Sequence, residues 1–252
     1  MLIPEPLSVE IILVAAVLVL SAALQTSTGF GFAILSAPVL AALLGPELAV
    51  STIVATGVVV DVLVLAADGR RPQPRMSDVL SLGAWSLPGL LVGALLLREL
   101  PSAALQLLVA AAVLLAVGHR IRSRRPREQV ESPARWWSAA PAGLASGVLS
   151  TSTTLGGPPV VLYLTRQPRA PRETRDTLVA LSLVRLPLSV GALVVTDTWT
   201  QPPPLPLLWL AVLLGYVIGR WTFSRMDVTR YERLILLALG AAALTAITAA
   251  VT

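Results

Sequence analysis

Two short polar stretches hold most of the groups this chain could turn on a ligand. The first is Gln25-Thr26-Ser27-Thr28-Gly29-Phe30-Gly31, and the second is Ser150-Thr151-Ser152-Thr153-Thr154-Leu155-Gly156-Gly157. Their hydroxyls and the Gln25 amide donate hydrogen bonds, and glycine lets a backbone approach a ligand with no side chain in the way. If a helix restarts after each stretch, its first amides are unpaired and carry the positive end of the helix dipole, which attracts anions. Pro158 and Pro159 suit the first turn of such a helix. The set favours a small oxyanion over a cation or a bulky apolar compound. The plainer reading is two Ser/Thr/Gly-rich kinks used for packing, which leaves the duplication unexplained.

Two charges lie deep in apolar sequence. Asp61 falls inside the apolar run 48–67, and Arg185 near the centre of the run 177–196. Either charge costs about 2.5–3.5 kcal/mol to place at a bilayer centre on insertion scales, so each should face the protein interior and have a partner. One reading is a structural salt bridge between them. The other divides the work: Arg185 attracts an anion, while Asp61 carries a proton or organises Arg185 between cycles.

The elements that must position these groups are membrane helices. The chain has 252 residues, 55% hydrophobic and 13% charged, with a mean hydropathy of +0.78; soluble domains average about 25% charged residues. Strands of alternating polarity, the mark of a membrane β-barrel, are absent from the pattern. The chain has no cysteine, which excludes disulfides, thiolate metal sites and a cysteine nucleophile. The net charge of +5 is carried by arginines alone. Basic loops at a membrane surface account for it better than nucleic-acid binding does. His119, at the head of an Arg-rich stretch, reads as a loop residue, and Trp136 and Trp137 as an aromatic belt. Trp85, Tyr163 and Tyr216 read as interfacial or packing aromatics. No phosphate-binding loop or HExxH motif occurs, and no carboxylate pair or metal-ligand cluster sits at one depth. A transporter powered by a gradient or a partner is therefore expected rather than an enzyme, with no cofactor.

Apolar segments run over 7–25, 30–45, 48–67, 79–97, 102–118, 138–149, 158–165, 177–196, 205–219 and 231–251. Arginines cluster around 70–75, 120–135, 166–175 and 220–233, and such loops face the cytoplasm. The connections at Gly45-Pro46-Glu47 and from Asp197 to Pro204, without arginine, are expected outside with both termini. The segment 138–165 is flanked by basic loops and is too short for two spans of about 20 residues. It should enter and leave on one side, and residues 7–45 should do the same from the other. The expected fold is all-α and polytopic. It has two inverted-topology repeats, each a broken helix or helical hairpin plus three transmembrane helices, or about eight membrane segments counted conventionally. Residues 1–118 form the first repeat, 119–135 a basic cytoplasmic linker, and 136–252 the second repeat. Paired interruptions in corresponding halves point to a transporter's binding site.

An offset of 125 superposes Thr26-Ser27-Thr28 on Thr151-Ser152-Thr153, Gly31 on Gly156 and Val60 on Arg185. One residue further, Gly89-x-x-x-Gly93 meets Gly215-x-x-x-Gly219, spacing that lets helices pack closely. The substrate site is accordingly expected to use Gln25, Thr26, Ser27, Thr28, Gly29, Gly31, Ser150, Thr151, Ser152, Thr153, Gly156, Gly157 and Arg185, with Asp61 for ion coupling.

Ala142-Gly-Leu-Ala-Ser-Gly147 followed by Gly156-Gly-Pro-Pro-Val-Val-Leu-Tyr-Leu164 resembles the second-half signature of the TauE/SafE sulfite exporter family. Thr28-Gly-Phe-Gly-Phe32, running to Pro38-Val-Leu40, looks like its first-half counterpart, although Phe30 and Phe32 stand where members commonly show adjacent glycines. The resemblance implies a permease for sulfite or organosulfonate-type anions in the cell membrane, working by alternating access. It also implies a lipid environment, and a homodimer is an expectation because some members form dimers. A passive anion channel and a non-transporting scaffold are the alternatives.

Overall fold

The computed structural model describes residues 9–28, 31–66, 71–122, 136–164 and 170–223. Among these residues the chain forms nine α-helices, one 3-10 turn (Trp136–Ala139) and no strand. The helices are α1 (Val9–Thr28), α2 (Phe32–Leu44), α3 (Pro46–Ala66), α4 (Met76–Glu99), α5 (Ser102–Arg122), α6 (Ala140–Thr153), α7 (Gly157–Leu164), α8 (Pro171–Val195) and α9 (Leu205–Phe223). Stretches of α1, α3, α4 and α8 are long and apolar enough to cross a membrane. The 21 residues of α3 span about 31 Å, close to the hydrocarbon thickness of a bilayer. With leucine, valine and tryptophan exposed along α4 and α9, this is a multi-pass membrane protein whose outer surface is solvated by lipid.

The helices fall on the expected apolar segments, and both polar stretches break the chain. After α1 the backbone resumes at Gly31, whose φ of 118° lies in the left-handed region that glycine adopts at little cost. Thr154 ends α6 with a φ of 62°. There its amide donates to the Ser150 carbonyl at 3.1 Å and the Leu155 amide to the Leu149 carbonyl at 3.0 Å, closing the helix end. With 14 and 8 residues, α6 and α7 are each too short to cross alone. Helix α5 runs on to Arg122, and residues 123–135 of the expected basic linker lie outside the described residues. The apolar segment 231–251 lies outside the described residues.

Glycine spacing decides which helices meet. The most extensive contacts are α4 against α6 and α1 against α9. Gly89 and Gly93 of α4 face Gly147, Val148 and Thr151 of α6, while Gly143 faces Trp85 and Gly147 faces Ser86 and Leu90. A Cβ on Gly89 would come within 3.0 Å of the Val148 amide nitrogen, so any larger residue forces these backbones apart. Gly215 and Gly219 of α9 rest in the same way on Val19, Ala22 and Ala23 of α1, with only 2.6 Å left between a Gly219 Cβ and the Ala23 carbonyl. The two contacts are reciprocal: the helix after each half's α3-type element packs on the first helix of the other half.

Helices α3 and α8 lie together at the centre, each opened by a proline, Pro46 and Pro171. Two hydrogen-bonded closures join them to the loops. Near the start of α8, Asp176 Oδ2 accepts the Gln73 amide at 2.9 Å and Thr177 Oγ1 accepts the Arg75 amide at 3.0 Å. Near the start of α3, Ser51 Oγ accepts the Thr200 amide at 3.1 Å. Above that second closure Val50, Leu90, Leu97, Leu193 and Trp199 pack into a cluster. Arg98 adds a bond of 3.3 Å to the Thr196 carbonyl.

Candidate functional site

Between the breaks and the central helices is a cavity of about 140 Å³. Gln25, Gly31, Ser150, Gly157, Asp61 and Arg185, all expected at the site, line it, together with Phe32, Thr154, Ser182 and Ser189. Apolar groups from α2, α3 and α8 form the remaining wall, among them Ile53, Val58 and Leu186.

Asp61 is buried and held from α1. The Gln25 amide group donates to Asp61 Oδ1, and Gln25 Oε1 accepts the Phe32 backbone amide at 3.0 Å. A backbone N–H only donates, so it fixes which end of the Gln25 amide faces Asp61. One side chain thus links α1, the first turn of α2 and the α3 carboxylate. Ser182 and Arg185 of α8 lie beside the same carboxylate.

Arg185 is held from the second break. Its Nη1 donates to Ser146 Oγ, and Ser146 in turn donates to the Gly156 carbonyl at 2.5 Å. Gly156 leaves the space this requires. A Cβ there would stand 2.7 Å from the Ser146 carbonyl and 3.0 Å from Arg185 Nη1. The Nε of Arg185 is buried and has no hydrogen-bond partner. Arg75 pairs with Asp78 and Arg98 with Glu99. Asp61 and Arg185 influence each other electrostatically without pairing directly.

Other expected ligand groups are turned to the helices instead. Thr26 donates to the Ala22 carbonyl at 2.7 Å, and its own carbonyl accepts from Arg175 at 3.0 Å. Thr151 donates across to the Leu90 carbonyl of α4 at 2.6 Å. Ser152 and Thr153 bond back to Val148 and Leu149 at 2.7 and 2.8 Å. Gly156 is buried behind Ser150 rather than lining the cavity. Gly29 and the side chains of Ser27 and Thr28 lie outside the described residues. Among the aromatics, the Trp85 ring packs against Trp137 with centroids 5.5 Å apart. Tyr163 meets Ser138, and the Tyr216 hydroxyl accepts from Arg220.

Ser146, Ser182 and Phe32 were not assigned to the site from the sequence. Spacing held the signal for two of them. Ser146 precedes Ser150 by one helical turn, and Ser182 precedes Arg185 by three residues, which puts each pair on one face.

The arrangement brings Arg185, whose Nε has no protein acceptor, together with the Gly157 amide in one cavity beside a single carboxylate. The Ser150 and Thr154 hydroxyls at that cavity donate to the Ser146 and Thr153 carbonyls, each at 2.6 Å, and Pro158 and Pro159 leave Gly157 as the one N–H among the first three residues of α7. The family model described as Sulfite exporter TauE/SafE matches residues 13–246. No curated protein and no solved structure matches the chain.

Proposed function

Because this chain belongs to the sulfite exporter TauE/SafE family, a transporter family whose membership implies a small anion substrate and a lipid environment, we propose that it is a secondary transporter of sulfite or organosulfonate-type anions. Arg185 is the principal anion-binding residue and Asp61 carries the coupling ion. The observation that carries this reading is Arg185, which lines the cavity and whose buried Nε has no acceptor in the protein. An unsatisfied buried donor costs about 1–3 kcal/mol, and an oxyanion would relieve that cost. The Gly157 amide at the start of α7 extends the same donor set.

Alternating access is supported by the closures at both ends of the α3–α8 pair. Ser51 with Thr200, and Asp176 and Thr177 with the 73–75 loop, tie down opposite ends of that pair, which suits a gated carrier better than an open pore. The reciprocal packing of α4 on α6 and α9 on α1 supports an inverted-topology repeat, with α1–α2 and α6–α7 entering from opposite sides. In this reading the arginine loops face the cytoplasm of the cell membrane.

The test is flux of sulfite, methanesulfonate, sulfate and acetate into liposomes containing purified protein. Saturable sulfur-anion flux supports a carrier. Non-saturating flux supports the channel alternative, and no flux for any anion refutes the reading.

A further inference from the structure

We infer that the ion coupled to the anion is a proton taken up by Asp61, one for each monoanion held at Arg185, and not sodium. The inference rests on the anion-transport reading above and specifies the coupling ion of the same cavity.

A sodium ion needs several oxygen atoms around it, typically carbonyls and carboxylates. Asp61 is the one acidic side chain among the described cavity-lining residues. From α1 it meets the NH2 end of Gln25, because the Phe32 amide has claimed the oxygen end. From α8 it meets Ser182 and Arg185, and Arg185 is the charged group among these neighbours. Two of the three neighbours thus present N–H groups, one on a cation, so a metal ion would find repulsion where it needs ligands. A proton needs no coordination shell. It can add to Oδ2, the oxygen not held by Gln25, while Gln25 keeps its bond to Oδ1.

Charge balance supplies the coupling. With Asp61 ionised and Arg185 protonated, the empty cavity is neutral. An anion alone leaves it with one net negative charge, and a proton alone leaves it with one net positive charge. Together they restore neutrality, so each favours the other by the same factor, as linkage requires. The proton comes from cavity water on the side of loading and leaves with the anion on the other side. The cycle moves no net charge for a monoanion.

Full-length protein in liposomes, with the voltage clamped by potassium and valinomycin, tests this with methanesulfonate and sulfite as probes. Methanesulfonate stays a monoanion at all working pH, so protons that move with it are carried by the protein. A pH difference of one unit, acid outside, should accumulate it inside to about tenfold the outside concentration, with no accumulation in protein-free liposomes. Sulfite should accumulate in the same direction, and replacing sodium with choline should change neither. Asp61→Asn should equilibrate the probe without concentrating it. Sodium dependence, or flux that ignores the pH gradient, overturns the proton assignment and leaves anion transport standing. No flux of either probe overturns the transport reading and this inference with it. The wild-type measurements decide between proton and sodium even where Asp61→Asn fails to insert.

Discussion

Asp61 and Arg185 face one cavity, yet each is fastened to the helix break of its own half of the chain. Asp61 accepts from Gln25 of α1, and Arg185 donates to Ser146 of α6. No direct ion pair joins them, so Arg185 keeps an N–H free for a ligand. The charges are positioned separately, and one can be disturbed through its own break without cutting a bond to the other.

Arg185→Gln should raise the half-saturating concentration for sulfite by about 10- to 100-fold, the loss expected for a charge-assisted hydrogen bond. Arg185→Lys should rescue little, since an ammonium lacks the planar fork that bonds Ser146 and an anion together. Concentration-dependent uptake, normalised to inserted protein, measures both. Wild-type affinity in Arg185→Gln would remove this residue from the site.

Gln25→Leu removes the amide donor to Asp61 and the acceptor for the Phe32 amide together. Stability should drop by about 1–3 kcal/mol, seen as a lower Tm in detergent, and transport should fall with it. An unchanged Tm would mean that Gln25 does not hold the first break to α3.

Gly156→Ala forces a methyl group against the Ser146 carbonyl and Arg185. It should abolish most sulfite flux while the protein still reaches the membrane. Gly191→Ala, whose Cβ meets nothing within 4 Å, is the matched control and should transport normally. Equal activity in the two variants contradicts the packing described around Arg185.

Ser51→Ala weakens one closure and Thr177→Ala the other. Each lost bond is worth about 0.5–1.5 kcal/mol, enough to shift an open population about 2- to 10-fold. Because the chain has no cysteine, Ser189→Cys at the cavity gives a unique reporter for a membrane-impermeant thiol reagent. Ser51→Ala should speed labelling from the side of the Asp197–Pro204 connection, and Thr177→Ala from the opposite side. Identical labelling in both backgrounds would dissociate these bonds from gating.

Much of the helix layout was legible because it depends on long apolar runs and on where arginines stop. The breaks were legible because polar residues and glycines interrupt apolar sequence at a shared offset. The sorting of hydroxyls within the second break was not read, although its signal was present. Gly143, Gly147 and Thr151 recur every four residues and form the face against α4, whereas Ser146 and Ser150, one position earlier, face Gly156 and the cavity region. The Gln25–Asp61 bond joins positions 36 apart in sequence, and no local pattern marks it. Only the tertiary packing of α1 beside α3 brings the two together.

The glycine seams have a consequence for how the molecule is made. Helix α1 completes its packing against Gly215 and Gly219 of α9, and α4 against Gly143 and Gly147 of α6. The opening helix therefore enters the bilayer long before its lasting neighbour has been synthesised, and it must wait there in provisional company. The helix that packs on α1 lies late in the chain, and the one that packs on α6 lies before it. The α4–α6 seam is complete in sequence by residue 153, and a ribosome that stalls before residue 215 leaves the α1 face orphaned for membrane quality control to find.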